Sequence, residues 1–261
     1  MLCFFLAGLF LPAFCAAAEL AVLADSLGSA DPAVRLHALR EIAVGHPAQS
    51  LPFLVRAAAD DDEYVRERAV QGLGLSGRPQ AVEPVRKALG DPDRFVRWRA
   101  AQAAGRLGDR GAVQTLAACA VDEFWRVRAA AFQTLGRLGG DPAERLLVAG
   151  LDDPDEQARL AAAAALAAGK NGAALPALLD LLKNGSMFVR DGAAVALGDL
   201  GDPAAVEPLI EAVADPRNEM ELEGRDWARW GAVKGLVKLT GQDFGLDAAK
   251  WEQWWTANQP R

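Results

Sequence analysis

Histidine is nearly missing from this sequence: two occur in 261 residues, His37 and His46. The residues that follow them are Ala38 and Pro47, so no carboxylate stands beside either imidazole to complete a metal-ligand pair. Cysteine is almost as scarce. Of three, only Cys119 lies beyond residue 18, and the chain after that point can form no internal disulfide. No glycine-rich phosphate loop is present, because the glycine clusters fall on a repeated frame instead. An excess of positive charge is lacking too. The formal charge is −7, which argues against a general nucleic-acid binder. That charge is unevenly spread, since residues 64–137 hold 13 Lys/Arg and 7 Asp/Glu, a local +6.

Charged side chains are absent before Glu19. Residues 1–18, MLCFFLAGLFLPAFCAAA, carry Pro12 and end on Ala16, Ala17 and Ala18, which fits a secretory signal cleaved after Ala18. A basic first region is missing, so a short retained anchor is the alternative. Cys15 follows Phe14, where a lipid-modification signal wants a small residue. The expected location is periplasmic or secreted, or membrane-anchored if the segment stays. With the segment removed, no membrane span is expected.

What the sequence does contain is periodicity. Val34-Arg35, Val65-Arg66, Val96-Arg97, Val127-Arg128, Ala158-Arg159 and Val189-Arg190 follow one another at a fixed 31 residues. Counted from the Val, apolar or small residues fall at 0, +4, +5, +8 and +11, the stripe of a helix buried on one side. Three residues earlier stand Asp31, Asp62, Asp93, Asp155 and Ser186, suited to cap the first free N–H groups. At +12 come Gly77, Gly108, Gly139 and Gly201, suited to end the helix. A second, shorter stripe follows in AVEPVRKAL (81–89), AVQTLAACA (112–120) and AVEPLIEAV (205–213), with Pro84 and Pro208 in the first turn. Two antiparallel helices result, neither of which can bury its stripe without neighbours.

The D-P-x-x-V-R-x-x-A-A-x-x-L-G-x-L-G frame, clearest at Asp91–Gly108 and at Ser186–Gly201, resembles the HEAT-repeat family in its short, phycobilisome-lyase-like form. The resemblance implies an all-α fold: a right-handed α-solenoid of about seven two-helix repeats over residues 19–239, closed by a Trp-rich capping segment over 240–261. It is specific for fold and weak for function, because the repeat serves scaffolds, adaptors and a few enzymes. A metal-dependent hydroxylase of this architecture needs His-Glu dipeptides, which are lacking here. Bilin lyases share the repeat but act in the cytosol, at odds with a secretion signal. The family also implies that the arginine of each Val-Arg pair reaches the capping aspartate of an adjacent unit, making a ladder from Arg35, Arg66, Arg97, Arg128, Arg159, Arg190 and Arg229.

Three irregular features remain. A seventh unit starts at Ala228-Arg229 after an eight-residue insertion within DPRNEMELEGRD (215–226). Its Glu219, Glu221, Glu223 and Asp226 are read as a solvated excursion rather than a cation loop, lacking Gly or Asn at metal-loop positions. Asp247 is placed to cap a last helix carrying Trp251, Trp254 and Trp255 on one face, expected to cover the final repeat rather than to hold a sugar. Cys119 shares its frame slot with Ala88 and Ala212 and is expected as a buried thiol, not a nucleophile.

Function is sought where the frame permits change. Slots at +2, +3 and +6 point away from the core, and in this family the Val-Arg helix lines the concave side. Aromatics at −1 or −2 include Tyr64, Phe95, Trp125, Phe188 and Trp227, and staple packing onto the first turn accounts for them equally well. Trp98 at +2 escapes that explanation, as do the arginines gathered in the same units. The candidate partner-binding residues are Tyr64, Arg68, Arg94, Phe95, Trp98, Arg99, Trp125 and Arg126, with no catalytic, metal or cofactor site. The expectation is a monomeric, non-enzymatic scaffold or adaptor for a protein partner in the cell envelope, free of nucleic acid. The rival reading is an accessory or lyase-type subunit holding an anionic tetrapyrrole-like ligand. Carbohydrate binding by exposed tryptophans is a third.

Overall fold

The computed structural model describes residues 17–218, 221–222 and 225–259. Most of the targeting segment (1–16), Glu219 and Glu223 lie outside the described residues, as does the side chain of Trp227. Residues 17–26 form α1. Seven frame helices follow at the spacing the sequence dictates: α2 (Pro32–Gly45), α4 (Glu63–Ser76), α6 (Arg94–Leu107), α8 (Trp125–Leu138), α10 (Glu156–Ala168), α12 (Met187–Leu200) and α14 (Trp227–Thr240). Their partners are α3 (Ser50–Ala57), α5 (Val82–Ala88), α7 (Val113–Cys119), α9 (Asp141–Ala149), α11 (Ala174–Asn184), α13 (Val206–Ala214) and α15 (Ala248–Asn258). The fold is an α-solenoid of helix pairs. It divides into two compact units, Met1–Thr115 and Leu116–Arg261, the division falling inside α7.

In the first unit α2 packs on α4 and α4 on α6, while α3 and α5 cover their other side. The stripe is buried as its period requires: Val65, Ala69, Val70 and Leu73 on α4, and Val96, Ala100, Ala101 and Ala104 on α6, are all fully enclosed. Each such Val or Leu contributes roughly 1.5–3 kcal/mol relative to exposure. Val34 departs from the stripe at 40% exposure, because the first frame helix has a neighbouring frame helix on one side only. In the second unit α8 packs on α10, α10 on α12 and α12 on α14, while α13 packs on α14 and α15. Small residues set how closely these helices approach. A Cβ on Gly136 would lie 2.6 Å from that of Ala165, and one on Gly198 would lie 2.7 Å from the Gly235 Cα.

Most caps follow the sequence. Asp62 accepts from the Tyr64 and Val65 N–H groups, Asp93 from Phe95 and Val96, and Asp155 from Gln157 and Ala158. Gly77 and Gly201 end their helices at φ of 61° and 81°, with Gly108 and Gly139 also positive. Ser186 does not cap. Both its N–H and its hydroxyl go to Glu156 of the preceding repeat, holding that carboxyl below its ordinary range.

The arginine ladder exists but rests on a different aspartate. Arg35 donates through Nε and Nη2 to Asp60 (2.9 and 2.6 Å), Arg66 to Asp91 (both 2.9 Å) and Arg128 to Asp153 (2.6 and 2.7 Å). These acceptors precede the capping position by two residues, because the capping carboxylates are committed to helix N–H groups. Each arginine also donates Nη1 to its own loop, Arg66 to the Asp60 and Asp61 carbonyls and Arg97 to those of Asp91 and Pro92. The acceptor carboxylate is missing at Asn184, which bonds Asp180 instead, so the regular ladder is interrupted at Arg159.

The fold is all-α as expected, and the insertion adds one short ribbon to it. Glu221–Leu222 (β1) pairs antiparallel with Arg225–Asp226 (β2), preceded by a 3-10 turn at Pro216–Asn218. This ribbon lies outside the repeat frame, in residues with no frame helix to join. At the C-terminus Asp247 caps α15 through the Lys250 N–H. Trp251 is fully buried, donates Nε1 to the Gly245 carbonyl and meets Phe244 edge-on at 4.9 Å. Trp254 and Trp255 are only half-buried and stack on each other at 6.3 Å, so one indole of the three is fully enclosed rather than all. Successive positions turn by about 100°, and only the residue aimed straight at the underlying helix is covered all round.

Candidate functional face

The outer slots of the frame helices hold the varying residues. In the first unit Tyr64 (63% exposed) stands at the start of α4 and Phe95 (37%) at the start of α6. Their backbone N–H groups are taken by the capping aspartates, which fixes where the rings emerge. Arg94 lies with its guanidinium 5.2 Å from the Phe95 ring centre. One turn further, Arg99 lies over the Trp98 indole at 4.3 Å and donates Nε to Glu67 of α4 at 2.7 Å. Glu67 is the α4 residue in the slot that Trp98 fills on α6. Arg68 donates to Gln71 at 2.7 Å. Indole, guanidinium and carboxylate therefore form one ordered cluster joining two repeats. Trp98 and Arg99 are half-buried by it rather than fully exposed.

In the second unit Arg126 lies 5.2 Å from the Trp125 ring centre, and Phe124 packs beside that indole at 6.4 Å. Phe188 (68% exposed) and Trp230 (43%) continue the aromatic series on α12 and α14. The eight candidate residues thus gather as six in the first unit and two in the second. Asp191 is a group that sequence reasoning passed over. Burial pushes its carboxyl above the ordinary range, against the pull of Lys234 and the Gly231 N–H of α14.

A second feature was also missed. Gln133, Gly136 and Arg137 of α8, Gln157, Leu160, Ala161, Ala164, Ala165 and Ala168 of α10, and Gly192 of α12 line a depression of about 410 Å³. Its floor is made of the short side chains that occupy the outer slots there, and an alanine at such a slot gives no sign of itself in the sequence. Cys119 is 2% exposed and lies in the core, as its frame slot requires. Among the described residues, no group of three or more His, Cys, Asp or Glu side chains is placed to hold a metal ion. No helix among them is long and apolar enough to cross a membrane.

A family model described as HEAT repeats matches residues 20–103, 83–148 and 144–224. No curated protein matches the chain. Among solved structures, YibA of Escherichia coli superposes at a TM-score of 0.63 with 18% identity, covering 84% of this chain and 81% of that one. A chain of the complex of CpcE and CpcF of phycocyanin lyase from Nostoc sp. gives 0.55 with 21% identity, covering 91% and 94%. An engineered protein gives 0.51 with 19% identity, covering 74% and 97%. These are likenesses of fold.

Proposed function

Because this chain belongs to the HEAT-repeat family, we propose that it is a non-enzymatic scaffold or adaptor that binds a protein partner on the frame-helix face, in the cell envelope. The observation that carries the reading is the Glu67–Arg99–Trp98 cluster. Core stripes, caps and the arginine ladder account for the repeated residues, whereas this cluster sits in slots the frame leaves free. An indole held flat by a guanidinium presents rigid contact area with donors at its edge, the combination enriched where proteins recognise one another. Tyr64 and Phe95 extend the apolar area along the same helices.

The envelope location rests on residues 1–18, and sequencing of the mature N-terminus should begin at Glu19. Retention of Met1 in a protein recovered from the cytosol would remove that part of the proposal. The likeness to phycocyanin lyase, at 21% identity, is one of fold and favours no bilin chemistry here. The binding site is tested by replacing Trp98 and Arg99 with alanine. Partner capture should fall by roughly tenfold or more, the loss typical of a central interface residue, with helicity and Tm close to wild type. Undiminished capture by a folded variant removes these residues from the site.

A further inference from the structure

The helix α6 carries four arginines, Arg94, Arg97, Arg99 and Arg106, and no carboxylate. Arg97 belongs to the scaffold through its bonds to the Asp91 and Pro92 carbonyls. Arg94 and Arg99 flank aromatic rings, and Arg106 is exposed in the last turn. The one carboxylate bonded to Arg99 comes from α4, as Glu67. Glu67 takes one of its five N–H donors and Gln102 another at 3.4 Å. Arg68, in the same slot on α4, donates Nη1 to Gln71.

We infer that the frame-helix face of α4 and α6 recognises a short acidic segment of a protein partner, one that carries an aromatic or aliphatic side chain among its carboxylates. The inference rests on the proposed partner-binding role and names its chemistry. Arg99 and Arg106 are seven residues apart, so they lie on one helical face about 10 Å from each other along the axis. Arg68 and Arg99 occupy equivalent slots on adjacent helices, whose axes are spaced roughly 8–10 Å apart. The three arginine positions therefore form a triangle with two edges of about 10 Å and a third of about 14 Å. A segment in polyproline-II conformation rises about 3.1 Å per residue with three residues per turn, so carboxylates three residues apart share one side and match the shorter edges. Tyr64, Phe95 and Trp98, toward the starts of α4 and α6, supply apolar surface beside the charges.

The charge balance of the whole chain favours an acidic peptide over a nucleic acid. Duplex DNA carries one charge per ~1.7 Å and would run into a protein of net charge −7, whereas a short segment meets only the basic helix. Glu67 is then a built-in competitor: it occupies part of Arg99 until an incoming carboxylate shares or displaces it.

The test uses the full chain and a fluorescein-labelled glutamate–tyrosine copolymer, followed by fluorescence anisotropy. Wild type should bind with an affinity that falls as salt rises. Glu67→Gln keeps an acceptor for Arg99 but removes the competing charge, and should tighten binding at least ~3-fold. Arg106→Glu, at an exposed position in the last turn of α6, should weaken binding ~10-fold or more with helicity close to wild type. A Glu67→Gln variant that binds no more tightly overturns the inference, as does stronger binding of a single-stranded oligodeoxythymidylate than of the copolymer. If the copolymer fails to bind while partner capture still depends on Trp98 and Arg99, the acidic chemistry is wrong and the protein-binding role stands.

Discussion

Gly150 and Phe132 show how far a single slot depends on its neighbour. Position 150 belongs to the 31-residue series of Ala57, Ala88, Cys119, Leu181 and Ala212, all buried and all small but Leu181. It holds no side chain because the Phe132 ring is there: an added Cβ would lie 2.6 Å from Cζ and 2.8 Å from the Ala162 Cβ. Gly150→Ala should therefore destabilise by about 1–3 kcal/mol, as overpacking does. Combined with Phe132→Val, the two changes should couple by about 1 kcal/mol or more in urea denaturation, and strict additivity would refute the pairing. Asp191 makes a different prediction. Its carboxyl titrates above the ordinary range because burial disfavours the anion, so its contribution favours the fold at low pH and is lost as pH rises through the folded value. Asp191→Asn should raise Tm at pH 7, and the gain should vanish near pH 3. An equal gain at both pH values would show that desolvation is not the cause.

Among elements, the helices and their ends were legible in the sequence, because a fixed period, a capping carboxylate and a terminal glycine are each local signals. What the period does not carry is the identity of the residue across the gap. Asp60, Asp91 and Asp153 were visible as loop aspartates, yet which of two nearby carboxylates meets the arginine depends on which is already bonded to a helix N-terminus. The same limit applies to α15, where one face of three tryptophans was read as covered and only Trp251 is enclosed. Trp251→Ala should cost about 3–5 kcal/mol through the cavity it leaves against α13, with Trp254→Ala costing well under half as much. Equal costs, measured by chemical denaturation, would mean that α15 seals the stack differently. The outer slots were legible only where a large side chain filled them. Trp98 and Arg99 were found that way, while the alanine-floored depression on α10 and the competing Glu67 were not, since neither is unusual in sequence alone.

At the scale of the whole molecule, the repeat separates residues that hold the fold from residues free to recognise something else. Buried stripes, caps and the Arg35–Asp60, Arg66–Asp91 and Arg128–Asp153 pairs account for the invariant slots. The acidic chain carries its positive excess on a few frame helices, and the aromatic residues of those helices lie beside it. That division makes a claim about position: contacts with a partner belong to the frame helices, and the second helices serve to cover them. Photo-crosslinking tests it directly, with a benzophenone amino acid placed at single exposed sites of the full chain in its native cells. One set would include Tyr64, Phe95 and Arg106 on frame helices, the other Glu83, Lys87 and Gln114 on second helices. One common crosslinked protein should come from the frame-helix sites and none from the others. The same product from the second-helix sites, with nothing from the frame helices, would contradict that claim.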